Sequence, residues 1–230
     1  MKAQLQRVGG SQSPVVIIDD FSGAVEEIAQ IADSLAPFPP VTGVAYPGVR
    51  RIIGPADEQA YAYVMTTCER VAPFVGGGFG VSSFDLTEAS FSVVTTSPEA
   101  LQPVQRVPHF DSPDPNIIAM LHYLRVPEGS GTAFYRHRST AIERVANDNV
   151  GRLAACADRE FAAHPPDPAY MNGSDAFFEQ IGRVEAVADR LIIYHGSLLH
   201  SGVIPRGMSF SADPREGRLT ANFFIRGAAK

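Results

Sequence analysis

Apolar and polar positions alternate with two different periods along this chain, and the changes of period divide it. Residues 14–20, Pro-Val-Val-Ile-Ile-Asp-Asp, are an apolar, β-branched run, the pattern of a buried strand. Phe21-Ser22-Gly23 turns the chain, and Ser22 stands where it would cap a helix running to about Leu35, which Pro37-Phe38-Pro39-Pro40 ends. Val41 to Pro55 carries prolines and glycines and reads as irregular. From Asp57 to Phe74 the period is helical, with Ala60, Tyr63, Val64 and Thr67 on one stripe. Gly76-Gly77-Gly78-Phe79-Gly80 follows; no Gly-Lys-Ser/Thr comes after it and no dinucleotide spacing fits, so it reads as a flexible turn rather than a phosphate loop.

From Ser82 the pattern turns to strands. Phe84–Thr95, Pro103–Asp111, Asn116–Val126 and Thr132–His137 alternate or are wholly apolar. The stretches Thr140–Glu160 and Ser174–Ala188 look helical, interrupted by His164-Pro165-Pro166-Asp167-Pro168. Strand character returns at Arg190–Tyr194 and Arg218–Arg226. Strands that follow one another without helices between them argue for antiparallel sheets closed into a sandwich or barrel. The expected class is therefore mainly β with flanking helices (α+β). A single domain is expected, with no disordered tract beyond about ten residues at either end. Its parts are an N-terminal strand and helices (14–75) packed on a β core (82–138 and 190–226), and a helical insert or lid (139–189).

Composition narrows the function. Of 230 residues, 45% are hydrophobic and 19% charged, with a formal net charge of −6, ordinary for a soluble globular protein. No basic stripe is present, so no nucleic-acid partner is expected, and no apolar run approaches a membrane span. The first residues lack a signal-peptide core, and Cys68 and Cys156 make neither a disulfide framework nor a zinc pattern. A reducing cytoplasm is the default expectation.

The candidate chemistry lies in Pro108-His109-Phe110-Asp111 and, far downstream, Leu198-Leu199-His200-Ser201-Gly202. On an extended strand, side chains two apart share a face, so His109 and Asp111 aim at one point. A histidine from another strand completes a 2-His-1-carboxylate set, which holds one face of a ferrous ion and leaves open positions. Asp111 also begins Asp-Ser-Pro-Asp-Pro-Asn, turn composition that alone would make it a turn cap. His195, five residues earlier, rivals His200 as the distal ligand. Along the last strand, Arg218, Thr220, Asn222 and Phe224 share one face; Leu219, Ala221, Phe223 and Ile225 share the other. A polar row facing a ligand and an apolar row packed on helices fits a barrel. Arg136, His137 and Arg138 follow a strand end and read as a rim able to meet an anion; His122 points away from Tyr123 and reads as structural.

Taken together, His109-Phe110-Asp111, Leu121-His122-Tyr123-Leu124, Gly129-Ser130-Gly131-Thr132-Ala133-Phe134, Leu191-Ile192-Ile193-Tyr194, Leu199-His200-Ser201-Gly202 and Arg218-Leu219-Thr220 resemble, in order, the motif string of the Fe(II)/2-oxoglutarate-dependent dioxygenases, prolyl-4-hydroxylase-like branch. The likeness departs at Ser130, which stands for a second glycine. It departs again in the long 139–189 insert and in an extra loop at 205–217 that spaces Arg218 from His200. The resemblance implies a double-stranded β-helix (jelly-roll, cupin-like) with that insert and the loop at its rim. It implies Fe(II) on His109, Asp111 and His200, 2-oxoglutarate as cosubstrate, and O2. Arg218 would anchor the 5-carboxylate of 2-oxoglutarate, because guanidinium offers a two-pronged match to carboxylate. Thr220 would add a hydroxyl donor, and Tyr123 would reach the cosubstrate. The implied reaction is hydroxylation of an unactivated C–H coupled to conversion of 2-oxoglutarate to succinate. The alternative is a non-catalytic or 2-oxoglutarate-independent cupin-like metal-binding protein. The expected partner is a small-molecule or peptidyl substrate, with a homodimer left open.

Overall fold

The computed structural model describes residues 1–41 and 46–229. In chain order the elements are β1 (Lys2–Val8), β2 (Ser13–Asp19), α1 (Val25–Ser34), β3 (Gly48–Ile52), α2 (Glu58–Phe79), β4 (Val81–Val94), β5 (Ile117–Arg125) and β6 (Gly131–His137). They continue with α3 (Val150–Ala163), β7 (Phe178–Glu185), β8 (Leu191–His195), β9 (His200–Val203) and β10 (Leu219–Ala229). The larger sheet has the order β1-β2-β8-β5-β10-β4-β3, the smaller β7-β6-β9, and the paired strands run antiparallel.

The layers follow from the alternation along each strand. On β10, Leu219, Ala221, Phe223 and Ile225 pack with Ile28, Ala60, Val64 and Val71 of α1 and α2, so the helices cover the outer face of the larger sheet. Fully buried Phe91 and Phe223 belong to this layer; burying one such ring contributes about 1.5–3 kcal/mol. The inner face meets the smaller sheet through Val15, Ala119, Tyr123, Ile192 and Tyr194 against Phe134 and Val184. Beyond the smaller sheet, Ala133, Tyr135 and Leu199 pack with Leu153 of α3 and with Met171. This is the expected jelly-roll, with the polar row of β10 facing the space between the sheets.

Several expectations are corrected. The first residues are not a loose end: β1 pairs with β2 from Lys2↔Asp19 to Val8↔Ser13. Most of its side chains are exposed, so it carries no apolar run to read. The stretch expected to be irregular between Val41 and Pro55 holds the edge strand β3, while its residues 42–45 lie outside the described residues. Ser22 is not the cap of α1, which begins after Ala24; its hydroxyl accepts the Ala24 N–H and donates to Asp189.

The glycine run is not a flexible turn but the last turn of α2, which stops at Gly80 in the left-handed region (φ +71°). Gly78 lies so close to β2 that a Cβ there would meet Val16 Cγ2 at 2.9 Å, so the absence of a side chain permits this approach. Residues 103–111 are not a strand: Pro103–Arg106 is a 3-10 turn, and only the end of the segment is extended. The insert is less helical than expected. Its first ten residues are irregular, α3 covers only Val150–Ala163, and Phe178–Glu185 is the strand β7. Pairing with β6 from Gly131↔Glu185 to His137↔Phe178 overrides the helix-favouring Glu, Gln and Arg content there. No helix among the described residues is long and apolar enough to cross a membrane.

Candidate functional site

Backbone pairing assembles the site. The His109 N–H donates to the His200 carbonyl at 2.9 Å, and the His200 N–H returns to the His109 carbonyl at 2.8 Å. This reciprocal bridge sets the two side chains opposite one another, with ring centroids 4.4 Å apart. Two residues on, the Asp111 N–H donates to the Gly196 carbonyl at 2.7 Å, which keeps its carboxylate on the same side. The donor atoms of His109, Asp111 and His200 all lie within 4.8 Å of one another.

Asp111 Oδ2 is 3.7 Å from His200 Nε2. His200 Nδ1 lies 2.7 Å from the Leu198 carbonyl, which can only accept, so Nδ1 carries the proton and Nε2 presents a lone pair. Burial pushes both imidazoles down to about 4, His109 further helped down by His200 beside it. Burial pushes Asp111 up to about 6, with His109 and then Arg50 opposing. Two neutral nitrogens with free lone pairs beside a carboxylate form a donor set that could hold a divalent cation.

The three residues open on a cavity of about 620 Å³ between the sheets, lined also by Tyr194, Thr132, Arg218, Thr220, Asn222 and Phe224. Arg218 is only 5% exposed. Its Nε donates to Ser130 Oγ at 3.0 Å and one Nη to the Gly131 carbonyl at 3.4 Å, while the guanidinium lies 5.7 Å from the centre of the Tyr123 ring. No carboxylate among the described residues pairs with it. A buried guanidinium held by neutral acceptors, with a cavity before it, has the chemistry of a carboxylate receptor.

The remaining sequence candidates divide. Thr220 is buried and lines the cavity, taking a 3.4 Å contact from Asn222 Nδ2. Tyr123 is not among the lining residues; its hydroxyl bonds Thr132 Oγ1 at 2.8 Å, so it supports Thr132 and Arg218 from behind. Burial pushes its phenol up to about 12 despite Arg218. His195 is not part of the donor set: its ring packs on Phe79 with centroids 5.0 Å apart. His122 is structural as expected, buried between the Tyr63 hydroxyl (2.8 Å) and Asp189 (3.0 Å). Arg136, His137 and Arg138 do not line the cavity; they bond Glu143, Glu160 and the Asp175 carbonyl.

Sequence reasoning missed four lining residues. Tyr194 was read only as a strand end, yet its ring stands against His200 at 4.8 Å, and its alternation with Ile192 was the available sign that it faces inward. Arg50 sits in β3, where no strand was expected; it bonds Glu88 at 2.6 Å and Ser90 at 2.8 Å. Tyr46 lines the cavity beside it, and Tyr170, from the insert, lines it too while stacking on Phe210 of the 205–217 loop at 6.2 Å.

The fold has solved relatives. One is the non-heme alpha ketoglutarate dependent epimerase SnoN from nogalamycin biosynthesis, with a TM-score of 0.58 at 16% identity over 94% of this chain and 80% of that one. Another is HygX from Streptomyces hygroscopicus, solved with nickel, 2-oxoglutarate and hygromycin B, with a TM-score of 0.53 at 12% identity over 94% and 83%. A third is the collagen prolyl hydroxylase vCPH of Paramecium Bursaria Chlorella virus-1, with a TM-score of 0.50 at 11% identity over 94% and 96%. At these identities the likeness establishes the fold, the double-stranded β-helix of the 2-oxoglutarate/Fe(II) oxygenases. No curated protein matches the sequence. A family model described as a family of unknown function, DUF6445, matches residues 1–225.

Proposed function

This chain belongs to the DUF6445 family, and we propose that it is an Fe(II)- and 2-oxoglutarate-dependent oxygenase that hydroxylates an unactivated C–H. The observation that carries the reading is the pairing, in one cavity, of a His-Asp-His donor set with a buried guanidinium that has no carboxylate partner among the described residues. Either feature alone has an ordinary structural explanation; a cation receptor and an anion receptor on the same cavity call for a bridging ligand with a carboxylate. The names of SnoN and HygX, with alpha-ketoglutarate and 2-oxoglutarate in them, support the choice of that ligand.

The residues divide the work. His109, Asp111 and His200 would hold the metal by one face. Arg218 would take the distal carboxylate of 2-oxoglutarate, helped by Thr220. Bound ferrous iron and 2-oxoglutarate supply the oxidising chemistry, in which the cosubstrate becomes succinate and carbon dioxide while O2 oxidises the substrate. Tyr194, Phe224 and Ala119 wall the cavity and limit water around the reacting groups. Substrate would meet the part of the lining that bears Arg50, Glu88 and Tyr170.

The test is anaerobic titration of the protein with Fe(II) and 2-oxoglutarate. A weak visible charge-transfer band, lost in His109→Ala, together with slow succinate formation on admitting air, is the expected result. No band at saturating concentrations of both refutes the proposal; metal binding that persists without 2-oxoglutarate binding would instead favour a 2-oxoglutarate-independent metal protein.

A further inference from the structure

We propose that His137, Cys156 and Glu160 form a second metal site, suited to zinc, that clamps α3 onto β6. Nothing in the oxygenase reading uses these residues. His137 ends β6 and is fully buried, at 0% exposure. Cys156 and Glu160 lie one turn apart on α3, hence on one face of it. The imidazole, thiol and carboxylate donor atoms all lie within 4.8 Å of one another.

The spacing suits a tetrahedral ion. His137 Nε2 is 2.8 Å from Glu160 Oε2, and Cys156 Sγ is 3.6 Å from Glu160 Oε1. With zinc bonds of about 2.0–2.3 Å, tetrahedral geometry sets neighbouring donors about 3.3–3.7 Å apart. His137 Nε2 and Glu160 Oε2 would part by less than about 1 Å, and the thiolate and imidazole would be drawn into range from within the 4.8 Å that bounds the set. His137 Nε2 donates to the Glu160 carboxylate 2.8 Å away; a metal would displace that proton, with Nδ1, 2.9 Å from Thr140 Oγ1, donating to the hydroxyl and holding the ring. Ser139 Oγ donates to Glu160 Oε1 and fixes the carboxylate from its other side.

Charge and softness point the same way. A thiolate, a carboxylate and a neutral imidazole carry two negative charges, which a divalent ion neutralises. The thiolate selects a borderline-soft ion over magnesium or calcium, and the set differs from the oxygen- and nitrogen-only centre at His109, Asp111 and His200. Cys156 and Glu160 are half-buried, so solvent supplies the fourth ligand. The site lies three residues along β6 from Phe134, the register partner of His200. A metal here would therefore tie the insert helix to the strand that supports the distal iron ligand.

Cobalt(II) tests this in the full-length protein, because a thiolate-to-cobalt charge-transfer band in the near ultraviolet arises only where a cysteine binds. The expected result is such a band in the wild type and in His109→Ala, its loss in Cys156→Ser, and its bleaching by added zinc. His137→Ala should weaken zinc binding at least about tenfold, with the far-ultraviolet circular dichroism unchanged. Cys156→Ser is a conservative change at a half-buried position and keeps the test independent of any unfolding of His137→Ala. Absence of a thiolate band at saturating cobalt overturns the proposal, leaving an ordinary hydrogen-bonded cluster. So does a band that survives in Cys156→Ser, which would assign the thiol to Cys68.

Discussion

Replacing Arg218 with Met should move the protein in opposite directions with and without cosubstrate. The guanidinium is 5% exposed, and its protein partners, Ser130 Oγ and the Gly131 carbonyl, are neutral. Its charge is thus desolvated with no carboxylate paired to it among the described residues, a state that disfavours the ligand-free fold. Methionine fills similar length without charge, so the ligand-free Arg218→Met protein should melt at or above the wild-type temperature. With 2-oxoglutarate the sign reverses. Removing one member of a buried, hydrogen-bonded charge pair costs about 2–5 kcal/mol, much of it from the partner left unpaired. At about 1.4 kcal/mol per decade this raises the 2-oxoglutarate Kd about 30- to 4,000-fold. Calorimetric titration of 2-oxoglutarate into nickel-loaded protein measures the change without turnover, and nickel binding itself should be retained. Arg218→Lys keeps the charge but not the two-pronged geometry and should fall between. A Kd within about threefold of wild type in Arg218→Met would refute the reasoning and move the anchor elsewhere; that threshold corresponds to about 0.7 kcal/mol, less than one net hydrogen bond to a charged group.

Three further outcomes follow from the geometry. His200→Ala should abolish nickel or iron binding, whereas His195→Ala should leave it unchanged; metal loss in His195→Ala alone would reverse the assignment. Gly78→Ala places a methyl 2.9 Å from Val16 Cγ2 and should destabilise by about 1–3 kcal/mol in urea unfolding. Gly77→Ala meets nothing within 4 Å inside α2 and should stabilise by about 0.5–1 kcal/mol; equal effects at both positions would contradict the helical reading. Burial raises the Asp189 carboxyl, but the bonds from His122, Ser22 and Gly23 outweigh it and hold the group well below its ordinary value. Its contribution is therefore complete above the unfolded value of about 3.9 and is lost as pH falls below that. Asp189→Asn tolerates the same left-handed backbone (φ +63°) and should flatten the stability profile between pH 4 and 2; an unchanged slope there would count against the account.

What the sequence disclosed was what alternation can carry. The inner and outer rows of β10 were legible because Leu219, Ala221, Phe223 and Ile225 are uniformly apolar and the residues between them include Arg218 and Thr220. His109 and Asp111 were legible as a same-face pair, although the strand expected to carry them is a 3-10 turn followed by one backbone bridge. Elements whose identity depends on a partner were not legible. β7 has only Phe178 and Val184 fully buried, with half-exposed residues between, and β3 is five residues at an edge; each exists because a neighbouring strand offers hydrogen bonds. Arg50 and Tyr46 reach the cavity through that edge, so their part in it depended on a pairing that no local pattern announces.

The reciprocal bridge between His109 and His200 couples the backbone of two segments to the geometry of the candidate donor set. The same pair of amides aligns the two imidazoles, so an opening that parts residues 109 and 200 would also scatter the donor set. Local amide exchange at residues 109 and 200 would then report how often the donor set comes apart. A metal on these residues would be expected to slow that exchange.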